Sequence, residues 1–395
     1  MSTLKVDAIR HNSATSDAIT TASDGTCTAR ITGMTGGGQL SHRNLIINGA
    51  MMISQRATSS TSSGYQTLDR YKAEGSNTGQ TATQSQQDLS SSDTPYTLGF
   101  RKYMRIALAS AGTANANAGV EIQQRIEAQN IANSGWNVTS SSSNITLSFW
   151  FRPSTNQTFY GYFYSFDGTA QVYTFSFTAS GNNTWTKVTK TIPGNSNLTI
   201  DNNNGAGLQF KLMAFYGTDY SNNKTLDQWA AYDGANQLPD MASTWLTTGT
   251  PTFDITGVQL EVGDTATSFE HRSLGEELSR CHRYCEVITH EQSGQRIALG
   301  HSEGSTESEN FYPTKQVMRA IPTFTYSGSE TRRVYERGGV IPNVSACTVE
   351  YSSTCYVQFE VTVDASDLQN GNANVMYFNG TPASPPAKMI LSAEL

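Results

Sequence analysis

Gly300-His301-Ser302-Glu303-Gly304 fits the G-x-S-x-G pattern that holds a serine nucleophile on a strand-to-helix turn. The polar run from Ser305 to Asn310 leads to Pro313 and offers no helix, so the pattern reads as a loop rather than a catalytic elbow. Cys281 and Cys285 stand four residues apart, which puts two thiols on one helix face. There they serve as metal ligands shared between chains or as small apolar seam residues, and the second reading is favoured. Asp167, Asp219, Asp233, Asp240, Asp254 and Glu261 are scattered, whereas glycoside hydrolysis needs two carboxylates about 5–10 Å apart. The Asp201-Asn202-Asn203-Asn204-Gly205 run offers oxygen ligands for calcium, or simply a solvated turn. The aromatic residues are more informative. Trp136, Tyr160, Tyr162, Tyr164, Trp229, Tyr232 and Trp245 lie among Asn, Gln and Asp. Rings stack on apolar sugar faces while amides and carboxylates take the hydroxyls. Trp136, Tyr160, Tyr162, Tyr164, Trp229 and Tyr232 are therefore carbohydrate-binding candidates, with core packing as the alternative. Trp150 and Trp185, each inside a strand, are expected in the core. No catalytic residue, cofactor or metal site is assigned.

Strands must position these groups. Residues 43–272 read as one large β domain, with candidates at 44–52, 100–108, 145–152, 158–166, 171–178, 185–192, 208–216 and 253–262. Ile145, Leu147, Phe149 and Phe151 share one face, with Trp150 and Arg152 on the other. Asn/Ser/Gly/Pro-rich connectors suit a sandwich or jelly roll. Residues 118–130 read as a helix or equally as a strand with a loop. Residues 273–289 change character. Ser273 with Glu276 makes a capping box. Leu274, Leu278, Cys281, Cys285 and Ile288 then follow at coiled-coil spacing. This is either a short trimer neck or an amphipathic helix packed on the sandwich. Residues 290–395 form a second β region. Residues 1–42 carry short apolar pairs between turn-like spacers; they form a tail or, on the favoured reading, strands that pack against copies of themselves.

Composition narrows the class. The chain has 395 residues, 15% charged, 37% hydrophobic and 10% aromatic, with a net charge of −7. Abundant Ser, Thr, Asn and Gln with many Tyr and Phe suit half-buried sheets. No basic run suggests a nucleic-acid groove, and no apolar run is long enough to span a bilayer. Met1 to Asp7 has no apolar core of a secretory signal, so synthesis in a cytoplasm is expected. Five cysteines without C-x-x-C spacing disfavour a disulfide framework.

Several stretches resemble parts of bacteriophage tail-fibre and related virion proteins. Asn44-Leu45-Ile46-Ile47-Asn48-Gly49-Ala50, Gln55-Arg56 and Leu68-Asp69-Arg70-Tyr71 resemble the opening of a domain common in them. Residues 255–263 and Ala266-Thr267-Ser268-Phe269-Glu270-His271-Arg272 resemble its closing strand. Gly275-Glu276-Glu277-Leu278 with Cys281-His282-Arg283-Tyr284 is similar to the helix that follows. Met318-Arg319-Ala320-Ile321-Pro322-Thr323 and Leu391-Ser392-Ala393-Glu394-Leu395 resemble their C-terminal part, and Ser2 to Ile9 the opening of marine phage fibres. The resemblance implies a jelly roll akin to carbohydrate-binding modules, usually in homotrimers. Ala50-Met51-Met52 replaces the acidic residue those modules often carry, which argues against a structural calcium.

The expectation is an all-β chain: a jelly-roll sandwich plus a second distal β domain, joined by a short helix, with an N-terminal extended trimerising segment. Its parts are a virion-attachment segment at 1–42, a carbohydrate-binding-module-like domain at 43–272, a helical neck at 273–289 and a C-terminal β domain at 290–395. The function read is a homotrimeric tail fibre adhering to host surface polysaccharide or lipopolysaccharide without catalysis. Its virion partners are tail or capsid proteins held through the N-terminal segment, with no nucleic acid and no membrane insertion. The alternatives are a head fibre or decoration protein, a glycan depolymerase tailspike, and a monomeric binding module.

Overall fold

The computed structural model describes residues 6–10, 13, 18–21, 23, 27–29, 43–336, 338 and 341–395. Most of the expected attachment segment, including residues 1–5 and 30–42, lies outside the described residues. Within it, Ala8–Ile9, Ile19–Thr21 and Cys27–Ala29 pair as short antiparallel strands.

The chain is all-β, a jelly-roll sandwich followed by a second β domain. Two six-stranded antiparallel sheets make the sandwich. The front sheet runs Trp229–Ala231, Gln171–Thr178, Thr158–Ser165, Ala206–Tyr216, Gly119–Glu127, Lys72–Ser76. The back sheet runs Thr186–Pro193, Asn144–Pro153, Thr252–Val262, Lys102–Leu108, Ala82–Asp88, Ser59–Ser60. Alternation decides which side chains face inward. Phe159 and Phe163 point in from the strand whose Tyr160, Tyr162 and Tyr164 point out. Phe149 and Phe151 point in beside an outward Trp150. The inward rings meet edge-on across the core, Phe151 to Phe177 at 4.9 Å and Phe159 to Phe253 at 5.3 Å between centroids. Each such ring, fully buried, contributes about 1.5–3 kcal/mol. The ambiguous stretch 118–130 is the strand Gly119–Glu127 running into the short helix Ala128–Ala132. The polar strands Lys72–Ser76 and Ala82–Asp88 carry no apolar alternation that would announce them.

Residues 44–52, expected as a strand, form none. Two asparagines organise them instead, because one amide both donates and accepts. Asn44 Oδ1 accepts from the Ile46 and Leu260 amides, both at 3.0 Å, and its Nδ2 donates to the Val258 carbonyl. Asn48, at φ 60°, bonds both backbone groups of Ile53.

The C-terminal domain packs a small sheet (Cys285–Thr289, Lys388–Ser392, Thr323–Ser327) with a broad one. The broad sheet runs Arg332–Glu336, Ala373–Phe378, Arg296–Ser302, Glu307–Pro313, Tyr356–Val363, Val344–Glu350. Its core gathers Met318, Val334, Val357, Phe359, Val361, Met376 and Leu391.

The neck requires correction. The helix is Leu274–His282, capped by Ser273 Oγ accepting from the Glu276 amide at 3.2 Å. Cys285 and Ile288 lie on the strand Cys285–Thr289, paired with Lys388–Ser392, so the second domain begins at 285 rather than 290. Val287, Ile288 and Thr289 are β-branched and suit a strand better than a helix. Cys281, Cys285 and Ile288 are buried within their own chain, Leu278 is half-buried, and Leu274 is 59% exposed. The five residues form no continuous helical seam.

The helix lies at a junction that fastens the two domains together. Arg70, buried and at φ 72°, pairs with Glu394 near the chain's C-terminal end, donates to the Arg125 carbonyl at 2.6 Å and stacks on the Tyr284 ring at 3.5 Å. Burial alone would lower the guanidinium pKa; Glu394, with Tyr284 and Tyr65, more than offsets this and raises it. Arg283 grips Glu127 through two bonds of 2.7 and 2.8 Å, and Tyr284 Oη donates to the same carboxylate. Arg319 donates to the Ala393 and Glu394 carbonyls and reaches the Asn204 carbonyl at 3.3 Å. Arg56 adds a second ion pair to Glu394 at 3.3 Å.

Glu394→Ala should cost about 3–5 kcal/mol, because it leaves a buried guanidinium without its counter-charge; urea denaturation measures this. Beside it, burial pushes the Asp69 carboxyl up to about 6 from 3.8, despite two bonds from Gln55. Between those values the folded chain keeps a proton that the unfolded chain has lost. The associated stability is therefore full below about pH 4 and is lost as pH rises through 6. Asp69→Asn should flatten that part of the stability profile, by on the order of 2–3 kcal/mol between pH 4 and 7.

Candidate functional site

Ser302 is not presented as a nucleophile. It is buried on the strand Arg296–Ser302 and donates to Glu336 Oε2 at 2.8 Å. The Glu336 carboxyl is held below its ordinary range, its bonds from Asn372, Gln369 and Ser302 outweighing burial. Cys281 and Cys285 sit on different elements, and burial raises both thiols far above their usual range. In the Asp201–Gly205 loop, Asp201 and Asn203 accept from other loop groups rather than converging on one point.

Four of the six carbohydrate-binding candidates are core residues. Trp136 is 4% exposed, with Nε1 donating to the Ser143 carbonyl at 3.1 Å. Trp229 is packed in the sandwich with Nε1 donating to the Pro193 carbonyl at 2.7 Å. Trp245 is likewise buried. Tyr160 and Tyr162 do point outward from the front sheet, but residues 217–242 cross over them. Leu238 clusters with both, and Val172 and Met213 of the adjoining strands flank them. Thr174 Oγ1 donates to the Gln237 carbonyl at 2.7 Å, and the Asp227 amide to the Thr174 carbonyl at 2.8 Å. The tyrosine row is thus a second core between sheet and covering segment. The sequence could not reveal this, because the cover is mostly loop, and its one short strand, Trp229–Ala231, joins the edge of the sheet itself.

Tyr164 and Tyr232 reach solvent at the row's end, Tyr232 being 38% exposed, with their rings edge-on at 4.9 Å. Beneath them lies a charged group: Lys211 pairs with Glu121 at 2.8 Å, and Tyr216 Oη donates to the same carboxylate. Burial raises the Glu121 carboxyl, with Lys211 opposing it. Every member already has a partner, so the group reads as support for the sheet.

The outer face of the back sheet holds a site that the sequence reading missed. A groove of about 320 Å3 is lined by Trp150, Phe100, Phe269, Leu98, Lys187, Ser148, Gly257, Thr267, Ser268 and His271. Its floor is cross-strand. Trp150 pairs with Lys187 on one side and Thr256 on the other. Next to Thr256 a bulge places Gly257 at φ 62°, where a Cβ would come within 2.7 Å of the Phe100 ring. That vacancy lets Phe100 pack down. One wall is the tail after the closing strand: Phe269 meets Phe100 edge-on at 4.8 Å, and His271 Nε2 bonds the Leu98 carbonyl at 3.0 Å. Below, Arg152 stacks on Trp185 at 4.6 Å, and with Arg105 it is pinned by the buried Asp254. Trp150 is half-buried against this cluster with its outer side open to the groove. Alternation set Trp150 opposite Phe149 and Phe151, but against the core placement expected of it Trp150 stands half-buried on the outer face; nothing in sequence announced the walls from 98–100 and 267–271. A larger cavity, about 620 Å3, opens in the C-terminal domain between residues 321–324 and 347–352. It is a cleft between two sheet edges with two rings in its lining, Phe324, which faces Phe359 of the core, and the exposed Tyr351.

No protein-family model and no curated protein matches this chain. Among solved structures it is similar to the bacteriophage CBA120 tailspike protein 4 enzymatically active domain, at 11% identity over 55% of this chain and 21% of that one, TM-score 0.29. The chain thus spans about a fifth of that protein's length. It is also similar to TmCBM61 in complex with β-1,4-galactotriose, at 8% over 55% and 98%, TM-score 0.28. A third is the N-terminal cellulose-binding domain of Cellulomonas fimi β-1,4-glucanase C, at 11% over 54% and 100%, TM-score 0.26. Likeness this slight assigns neither ligand nor activity to the chain.

Leu238→Ala should cost about 2–5 kcal/mol, since its side chain is fully buried under the covering segment. The loss should appear as a lowered denaturation midpoint and as protease cleavage within 217–242.

Proposed function

We propose that the chain is an adhesion module that binds a saccharide in the groove over Trp150. The groove itself carries this reading: an indole platform with apolar walls, edged by Ser148, Thr267, Ser268, Lys187 and His271. Concave sites of this size with an aromatic floor and few convergent polar groups suit a ring-shaped ligand with hydroxyls at its rim. None of the ten lining residues is Asp or Glu. A hydrolase would need two such groups flanking the bond, so binding without cleavage is the reading the groove supports.

On the resemblance of its motifs, the module belongs to a bacteriophage virion fibre, read as a homotrimeric tail fibre, with a capsid head fibre as the second location. A trimer would multiply a weak single-site affinity, since linked sites gain about 100–10,000-fold in avidity.

Calorimetric titration with purified surface polysaccharides tests the reading. Trp150→Ala should weaken binding at least about tenfold, which is 1.4 kcal/mol, with an unchanged circular dichroism spectrum. Unaltered binding would remove the groove from the reading, and new reducing ends in the titrated polysaccharide would replace adhesion with depolymerisation.

A further inference from the structure

The broad sheet of the C-terminal domain has an unusual distribution of side chains. Its inner face buries Ser302, Ser308, Asn310, Asn374 and Glu336. These satisfy one another: Asn374 Nδ2 donates to Ser302 and Ser308 at 3.0 and 2.8 Å, and Asn310 Nδ2 to Asn374 Oδ1 at 2.8 Å. The same strands turn apolar residues outward. Tyr335 pairs with Val375, Val375 with Leu299, and Leu299 with Phe311, a continuous row across four strands. Leu299 is 67% exposed, Tyr335 41% and Phe311 40%. A one-residue slip would exchange the faces, but the satisfied inner network holds this register. An antiparallel sheet with a solvated outer face normally turns polar residues outward. An apolar row across that face marks a surface that is covered in use.

Charge identifies the cover. On one side of the sheet, Arg333 shares the outer face with Tyr335, and Arg296 stacks on Tyr377 at 4.9 Å. On the other side, Glu309 pairs with Glu360, with Glu350 on the edge strand beyond. Burial and then Glu303, Glu309, Glu350 and Glu307 together raise the Glu360 carboxyl; of these carboxylates Glu309 accepts from Gln358 at 2.7 Å and lies 3.9 Å from His301. One face thus offers cations at one margin, carboxylates at the other and an apolar strip between them.

We propose that this face packs against a second copy of the chain, the arginine margin of one copy meeting the carboxylate margin of the next around a closed ring. Unlike margins satisfy one another around a ring as well as across a two-fold pair; the count of three is taken from the fibre reading. The inference rests on the oligomeric part of the fibre reading and supplies its contact surface.

Light scattering and sedimentation of the full chain test it. The parent chain should give the mass of three chains. Leu299→Asp with Phe311→Asp should give that of one, with unchanged circular dichroism and at least a hundredfold weaker association. If this pair misfolds, the milder Arg333→Glu should weaken association, and Glu360→Arg in the same chain should restore it. A trimer that both sets of changes leave intact would overturn this face while leaving the fibre reading standing. A monomeric parent chain would overturn the oligomeric reading and this face together, and would leave saccharide binding to be judged by Trp150→Ala alone.

Discussion

Arg70 holds the molecule together. Its guanidinium is taken out of water between two domains, and its charge is balanced by a carboxylate from the second-last residue of the chain. Few contacts are so asymmetric. A paired buried ion gives little net stability, but an orphaned one costs several kcal/mol. The pair therefore works as a condition on the fold: the two domains must dock so that Glu394 arrives. Its backbone conformation fits the same demand. Arg70 stands in the left-handed region, an uncommon state for such a residue, held where Leu68 and Tyr71 are sealed in the core on either side.

Around this pair converge the motifs by which the chain resembles virion fibres. Asn48 Oδ1 accepts from the Ile53 amide, and the Asn48 amide donates to Glu277; Gln55 bonds Asp69 and the Cys285 carbonyl. Arg283 and Tyr284 close on Glu127, and Arg319 ties the terminal residues down. These signatures describe how a sandwich, a helix and a second sheet are locked, and they say nothing of what is bound. The groove proposed for binding lies elsewhere, on the outer face of the back sheet, where one central strand bulges at Gly257 and two loops rise beside Trp150. The shared motifs lie in the frame, and the groove is built from what the frame leaves free.

The structure also shows why an aromatic row alone misleads. Tyr160, Tyr162 and Tyr164 lie on one outward face, as alternation requires. A sheet face is exposed only if nothing crosses it, and residues 217–242 cross most of this one, anchored by Thr174 and Leu238. The reverse holds in the C-terminal domain, where strands bury a satisfied polar network and turn Leu299 and Phe311 outward. Polarity read strand by strand finds Val357, Phe359 and Val361 inward correctly but misplaces the tyrosine row and the Leu299–Phe311 row, because it does not register what crosses a face or what bonds within it.

Local chemistry in the sequence determined the all-β class, most strand positions, the Ser273 cap, and the split of Phe149 and Phe151 from Trp150 across a sheet. Period-two alternation and capping act within a few residues, so they are legible in one dimension. The turn-rich 44–56, the polar strands 72–76 and 82–88, and the end of the helix at His282 were decided by partners far along the chain: Leu260 for Asn44, Gln123 for Lys72, Ser392 for Cys285. The groove belongs wholly to this second kind. Trp150, Lys187, Phe100 and His271 become neighbours only when four separate stretches are brought together, and burial decides which rings remain available to a ligand.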